Sequence, residues 1–313
     1  LYFICNFFKN TTFNFANPTM KQIYILLIFT YSLFFYSCEL INPDEDIPVF
    51  FEVNSVSKIS RGIEEGSASH NITDVWVYVN DEFLGVYEIP ARFPVLKKGK
   101  ANIQFFAGIK NSGLASARFS YPFYTSYKVP ESTVLQEGNT YSFKPEFYYN
   151  TSTVFKWREN FEDINISIVQ TPSSKASIKR IVNTPEVLEG NGSALIELNE
   201  TENFFNGITS QEFKLPKSGA SVYLEMDYYT TAELEVGVTS VMVDQARFSD
   251  LVLTINPTKK ADGTYRWNKI YIDLTGIISG NIDAVGYYLT FSSRLSSGTS
   301  AKILLDNIKL VHF

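Results

Sequence analysis

The closing stretch Ala301-Lys302-Ile303-Leu304-Leu305-Asp306-Asn307-Ile308-Lys309-Leu310-Val311 is apolar along most of its length, broken by Asp306-Asn307 and two lysines. It reads as a strand. Upstream, comparable runs recur at Ala284 to Phe291, Trp267 to Leu274, Val252 to Ile255, Leu234 to Thr239 and Ser221 to Tyr229. Further back lie Glu212 to Leu215, Ser193 to Leu198, Ser177 to Ile181 and Ile164 to Val169. Turn residues separate them, and no convincing amphipathic helix intervenes. About ten short strands in roughly 160 residues predict a jelly roll over 154–313.

A second β body is expected over 49–150. Asp74-Val75-Trp76-Val77-Tyr78-Val79-Asn80 alternates apolar and polar residues, as a half-buried strand does. Asn80-Asp81-Glu82 supplies a turn, and Phe83-Leu84-Gly85-Val86-Tyr87-Glu88 returns as the hairpin partner. Gly85 marks a bulge or a close approach. With Val49-Phe50-Phe51-Glu52-Val53, Ala101 to Ala107 and the segments near 119–128 and 140–149, this makes a small β-sandwich. The chain is therefore expected to be all-β, a small sandwich followed by a jelly-roll sandwich, divided near Asn150-Thr151-Ser152-Thr153.

Composition removes other classes. Among 313 residues 45% are apolar and 19% charged, too apolar and too weakly charged for a disordered chain. With 27 basic against 33 acidic residues the net charge is −6, which argues against nucleic acid as a partner. Two cysteines make no disulfide scaffold.

From Met20-Lys21 the chain runs through the uncharged stretch Ile23 to Tyr36 and then Ser37-Cys38, the pattern of a secretory signal over 20–37. The apolar run is shorter than the ~20 residues that span a bilayer. Residues 1–19 are read as upstream sequence or a mis-set start. Residues 38–48, Cys38-Glu39-Leu40-Ile41-Asn42-Pro43-Asp44-Glu45-Asp46-Ile47-Pro48, form an acidic tether.

Ser37-Cys38 resembles a bacterial lipobox, although Phe35 and Tyr36 depart from it. The resemblance implies lipidation at Cys38 and a membrane anchored through acyl chains. Acids directly after the cysteine resemble the export signal of Bacteroidota-type surface lipoproteins, which implies an outer-membrane, cell-surface location. Val77 to Gly85, Pro94-Val95-Leu96, Gly108 to Gly113 and Tyr121-Pro122-Phe123-Tyr124 resemble the N-terminal module of such lipoproteins and, loosely, Ig-like, PEGA-type and carboxypeptidase-regulatory-like sandwiches. Asn160-Phe161-Glu162-Asp163, Trp267 to Thr275, Tyr287 to Phe291 and Ile303 to Leu310 resemble a carbohydrate-binding-module or galactose-binding-like jelly roll.

That second resemblance implies a structural calcium held by Glu162 and Asp163 on the first strand and Asp306 on the last; turn capping and lysine pairing are the plainer roles for these acids. Sugar stacking needs exposed rings. The candidates are Tyr228, Tyr229, Tyr265 and Trp267, with Phe204 and Phe205. Tyr228 and Tyr229 are consecutive, so one faces inward and one outward. Trp267 heads a strand, where core packing is the commoner role. The only histidines, His70 and His312, fall in different halves, and no nucleophile, zinc or phosphate motif is present. No catalytic residue is assigned. The expectation is a non-enzymatic envelope lipoprotein that binds glycan, with an envelope-protein partner as the alternative and glycoside hydrolysis behind both.

Overall fold

The computed structural model describes residues 18–35 and 45–313. Its contacts divide into one unit up to Ile47 and another over Pro48–Phe313. In the first, helix α1 spans Pro18–Phe35. No helix among the described residues is long and apolar enough to cross a membrane. Cys38 lies outside the described residues.

The second unit is all-β. Its N-terminal half contains β1 (Val49–Val53), β2 (Asp74–Val79), β3 (Glu82–Glu88), β4 (Ala91–Val95), β5 (Ile103–Lys110), β6 (Arg118–Ser120) and β7 (Thr140–Phe143). One sheet has the order β7-β1-β4, with β1 parallel to β7; a facing sheet has the order β3-β2-β5-β6. The β2–β3 hairpin turns on Asn80 and Asp81, whose φ values of 53° and 63° are the left-handed pair of a type I′ turn. The register slips between Val77↔Gly85 and Tyr78↔Phe83, so a bulge forms beside Gly85.

The C-terminal half contains β8 (Val154–Glu159), β9 (Ile168–Gln170), β10 (Ile178–Val182), β11 (Gly192–Asn199), β12 (Phe204–Thr209), β13 (Val222–Thr230), β14 (Leu234–Met242), β15 (Arg247–Ile255) and β16 (Asn268–Asp273). A short helix α2 (Thr275–Gly280) follows, then β17 (Ala284–Arg294) and β18 (Ser300–His312). The first sheet runs β10-β11-β18-β13-β16, with β8 also paired to β18; the second runs β9-β12-β17-β14-β15. Alternation sends Ile303, Leu305, Ile308 and Leu310 of β18 inward, to meet Phe205, Leu289, Phe291, Val236 and Val238 from the second sheet. Asn307 has φ 47°, and the β13–β18 register shifts beside it. This bulge lets the apolar runs on either side of it reach one core, with Leu305 and Ile308 both buried there.

The opposite face of the first sheet is also covered. Tyr223, Tyr271 and Val311 belong to the N-terminal hydrophobic cluster, among Phe51, Phe105, Phe123 and Tyr149. Between the halves lies a buried ionic network. Glu225 Oε1 accepts hydrogen bonds from the hydroxyls of Tyr121 and Tyr149, each 2.7 Å away. Lys269 Nζ stands 3.5 Å from Glu225 Oε2 and 3.9 Å from Asp227. Lys309 Nζ donates to the carbonyl of Ser67 at 3.0 Å. Burial pushes the Glu225 carboxyl up, but Lys269, Lys309 and the two tyrosines outweigh it and hold it below its ordinary value. Burial drives Lys309 down to about 7, against the pull of Glu225.

Glu225→Ala removes the nearer of the two carboxylates beside buried Lys269 and leaves the buried Tyr121 and Tyr149 hydroxyls without their acceptor. Chemical denaturation of the variant is expected to show a loss of about 3–5 kcal/mol, the usual penalty for breaking a buried ion pair on one side. A loss below about 1 kcal/mol would show the network to be solvated.

Candidate functional site

On the solvent face of the second sheet the residues between the core positions form an open cleft. Alternation places Phe204, Asn206 and Ile208 of β12, Thr290 and Ser292 of β17, Glu235, Gly237 and Thr239 of β14, and Arg247, Ser249 and Leu251 of β15 on its walls and floor. Two adjoining cavities, about 380 and 460 Å³, share Asn206, Glu235 and Ser292. The lining comes from four adjacent strands, β12-β17-β14-β15, three spacings of about 4.8 Å or roughly 14 Å.

Its polar groups are held in place. Ser292 Oγ donates to Glu235 Oε2 at 2.7 Å. Asn206 Nδ2 donates to Thr171 Oγ1 at 3.0 Å, and the Thr239 and Ser249 hydroxyls meet at 2.7 Å. The Arg294 guanidinium lies 4.3 Å over the Phe204 ring, and that of Arg247 lies 4.9 Å over Tyr288. Gly237 keeps the floor low: a Cβ there would come within 2.6 Å of Thr290 Oγ1 and 2.8 Å of the Asp250 carbonyl oxygen. Sequence patterning did not single out this cleft. Of its ring residues only Phe204 was a candidate, and it sits half-buried beneath Arg294. Phe205 is core.

The other aromatic candidates divide as consecutive strand residues must. Tyr228 points into the jelly-roll core, where burial raises its hydroxyl pKa. Tyr229 points outward from the first sheet. Its ring centroid is 5.9 Å from that of Tyr265 and 6.4 Å from that of Trp267. All three of these rings are half-buried, so Trp267 is not the core residue its strand position suggests.

The three calcium candidates do not form one donor group. Glu162 accepts from the backbone N and the Nδ2 of Asn191, at 2.8 and 2.9 Å. Burial raises its pKa, but these bonds, Gly192 and Arg180 bring it below the ordinary range. Asp163 is exposed. Asp306 is buried and accepts from Ser193 Oγ at 2.6 Å and the Asn307 backbone N at 2.7 Å. Among the described residues no group of three or more His, Cys, Asp or Glu is placed to share an ion. These acids do not fit a calcium site. Glu162 and Asp306 each answer a local backbone need: a turn at Asn191, and the bulge at Asn307. His70 is half-buried near Lys269 and Lys58, and burial followed by those charges lowers its pKa. His312 Nδ1 lies 2.8 Å from the Phe313 carbonyl oxygen.

No protein-family model matches the chain, and no curated protein matches it in sequence. Solved structures align with it at low similarity. A CBM22-1 xylan-binding domain from Paenibacillus barcinonensis is 13% identical with a TM-score of 0.39, covering 52% of this chain and 97% of that one. A carbohydrate-binding module of the β-sandwich superfamily, described for promiscuous specificity, is 10% identical with a TM-score of 0.36, covering 76% and 84%. A cleaved adhesin domain of Lys-gingipain from Porphyromonas gingivalis is 18% identical with a TM-score of 0.35, covering 51% and 97%. Similarity this low says nothing of ligand.

Burial first, then the neighbouring Asp227 and Glu189 carboxylates, push Asp306 up to about 7 against the bonds from Ser193 and Asn307. Its ordinary value is 3.8, so the folded state holds a proton that the unfolded chain releases. That contribution is present at low pH and is lost as pH rises through 7. Asp306→Asn removes it. The stability of this variant relative to wild type is expected to improve by on the order of 2 kcal/mol between about pH 5 and pH 8, measured by urea unfolding. Lys309 titrates in both proteins and cancels from the difference. A pH-independent difference would contradict the assignment.

Proposed function

We propose that the chain is a non-enzymatic glycan-binding lipoprotein of a bacterial outer membrane, and that a linear glycan lies in the cleft of the second sheet. One observation carries this: an open trough across four strands of one sheet, lined by hydroxyl, amide, carboxylate and guanidinium groups on rigid strands. A sugar chain offers hydroxyls on every residue, and fixed side-chain donors and acceptors on strands match them without reorganisation. Open ends let a chain pass through, whereas a compact metabolite would want an enclosed pocket. The proposal assigns no chemistry to the cleft.

In this account Cys38 carries the lipid and residues 38–48 tether the β unit. Cys38→Ala in cells fed radiolabelled palmitate is expected to lose the label that the wild-type chain takes up; labelling that persists would remove the anchor from the account.

Affinity electrophoresis of the folded protein in gels containing xylan, mixed-linkage β-glucan, galactan or mannan tests the cleft. Retardation by at least one polysaccharide is expected. Glu235→Ala with Asn206→Ala should weaken that binding at least tenfold, about 1.4 kcal/mol. Gly237→Val, which raises the floor, should weaken it as well. No retardation in any gel, or retardation indifferent to all three substitutions, would overturn the proposal.

A further inference from the structure

Tyr229, Tyr265 and Trp267 are large aromatic residues that belong to neither hydrophobic core. On the outward face of β13 the residues Tyr223, Glu225 and Asp227 are all covered: Tyr223 lies in the N-terminal cluster, Glu225 bonds to Tyr121 and Tyr149, and Asp227 accepts from Ser69 Oγ at 2.7 Å. Tyr229 is the next residue on that face, and the N-terminal cluster does not include it. Its ring and those of Tyr265 and Trp267 gather there, half-buried.

Beside Tyr229 opens a cavity of about 530 Å³, lined also by Glu197, Asn199, Glu202, Thr231 and Lys302. Its polar groups are oriented. Asn199 Nδ2 donates to Glu202 Oε2 at 3.2 Å, and Lys302 Nζ donates to Glu186, whose carboxylate raises the Lys302 pKa. The lining thus presents two carboxylates against one ammonium that is already paired.

We infer that Tyr229, Tyr265 and Trp267, with the adjoining pocket, form a second sugar-binding subsite on the sheet opposite the cleft, selective for a neutral pyranose chain. The ring planes make angles of 47° and 55° with that of Tyr229, so they form a splayed notch. A notch grips the apolar CH face of one or two sugar rings; a flat crystalline polysaccharide would need coplanar rings. The adjoining carboxylates accept hydrogen bonds donated by sugar hydroxyls and repel uronates. This subsite stands on the rings and the pocket, independently of the cleft. With both sites filled on opposite sheets, one molecule holds two chains, or two parts of one, and gains affinity from the link.

The chain has three tryptophans. Trp157 is buried in the core, Trp76 lies in the N-terminal half, and the residues that line the cleft include no tryptophan. Emission from Trp267 therefore reports this subsite separately from the cleft. The full chain is titrated with cellohexaose, xylohexaose, β-1,4-galactohexaose and an oligogalacturonate while tryptophan fluorescence is read. At least one neutral probe should give a saturable change, and the oligogalacturonate should bind at least tenfold more weakly. Trp267→Phe should abolish the change while calorimetry still detects binding. Tyr229→Ala should weaken it at least tenfold, Tyr229→Phe should restore it, and Glu235→Ala should leave it intact. Circular dichroism and melting identify any variant that has lost its fold, for which Tyr229→Phe and Trp267→Phe then decide. No change with any neutral probe, or a change that survives Trp267→Phe, would overturn the inference. Loss of the response in Glu235→Ala would show instead that the cleft alone binds.

Discussion

The structure depends on one strand with two different faces. β18 hydrogen-bonds to β8 and β11 along its length and to β13 on the other edge. Inward it gives Ile303, Leu305, Ile308 and Leu310 to the jelly-roll core. Outward it gives Lys309 and Val311 to the contact with the N-terminal half. Asn307, at φ 47°, takes up the bulge between the two apolar runs. Burying side chains on both faces of a strand is ordinary for a central β-strand; here the second cover is another β body and the contact is ionic as well as apolar.

That contact determines where binding surface is left. The N-terminal half covers much of the first sheet, so Tyr121, Tyr149, Glu225 and Lys269 serve packing and charge balance. What remains open is the far part of that sheet at Tyr229 and the outer face of the second sheet. The two open regions differ in chemistry. The first offers rings at an angle, and the second offers a trough of hydrogen-bonding side chains with guanidinium groups laid over rings.

Much of the architecture was legible in the sequence, because period-two alternation and turn residues are local signals. Asn80-Asp81 specified the hairpin, and the bulge formed beside Gly85. The outward turn of Tyr229 against Tyr228 followed from the same period, and Tyr265 and Trp267 joined Tyr229. The cleft was not legible. Asn206, Glu235 and Ser292 look in sequence like any solvated strand residues, and the concavity that gathers them comes from the twist of the sheet. Nor was the ionic contact legible. Alternation says only that Glu225 and Lys309 face away from one core; it is silent on whether a second body covers them. The separation of the acids considered for calcium was not legible either: Glu162 follows β8 and is occupied at the Asn191 turn, whereas Asp306 lies in the middle of β18, at the bulge.

The central claim is that glycan lies along the outer face of the second sheet. Hydrogen–deuterium exchange on the full chain, with and without the polysaccharide that retards it, tests this most directly. The account predicts slowed exchange in the segments over 204–209, 233–251 and 288–296. Protection confined to the N-terminal half, or none in those segments at saturating polysaccharide, would contradict it.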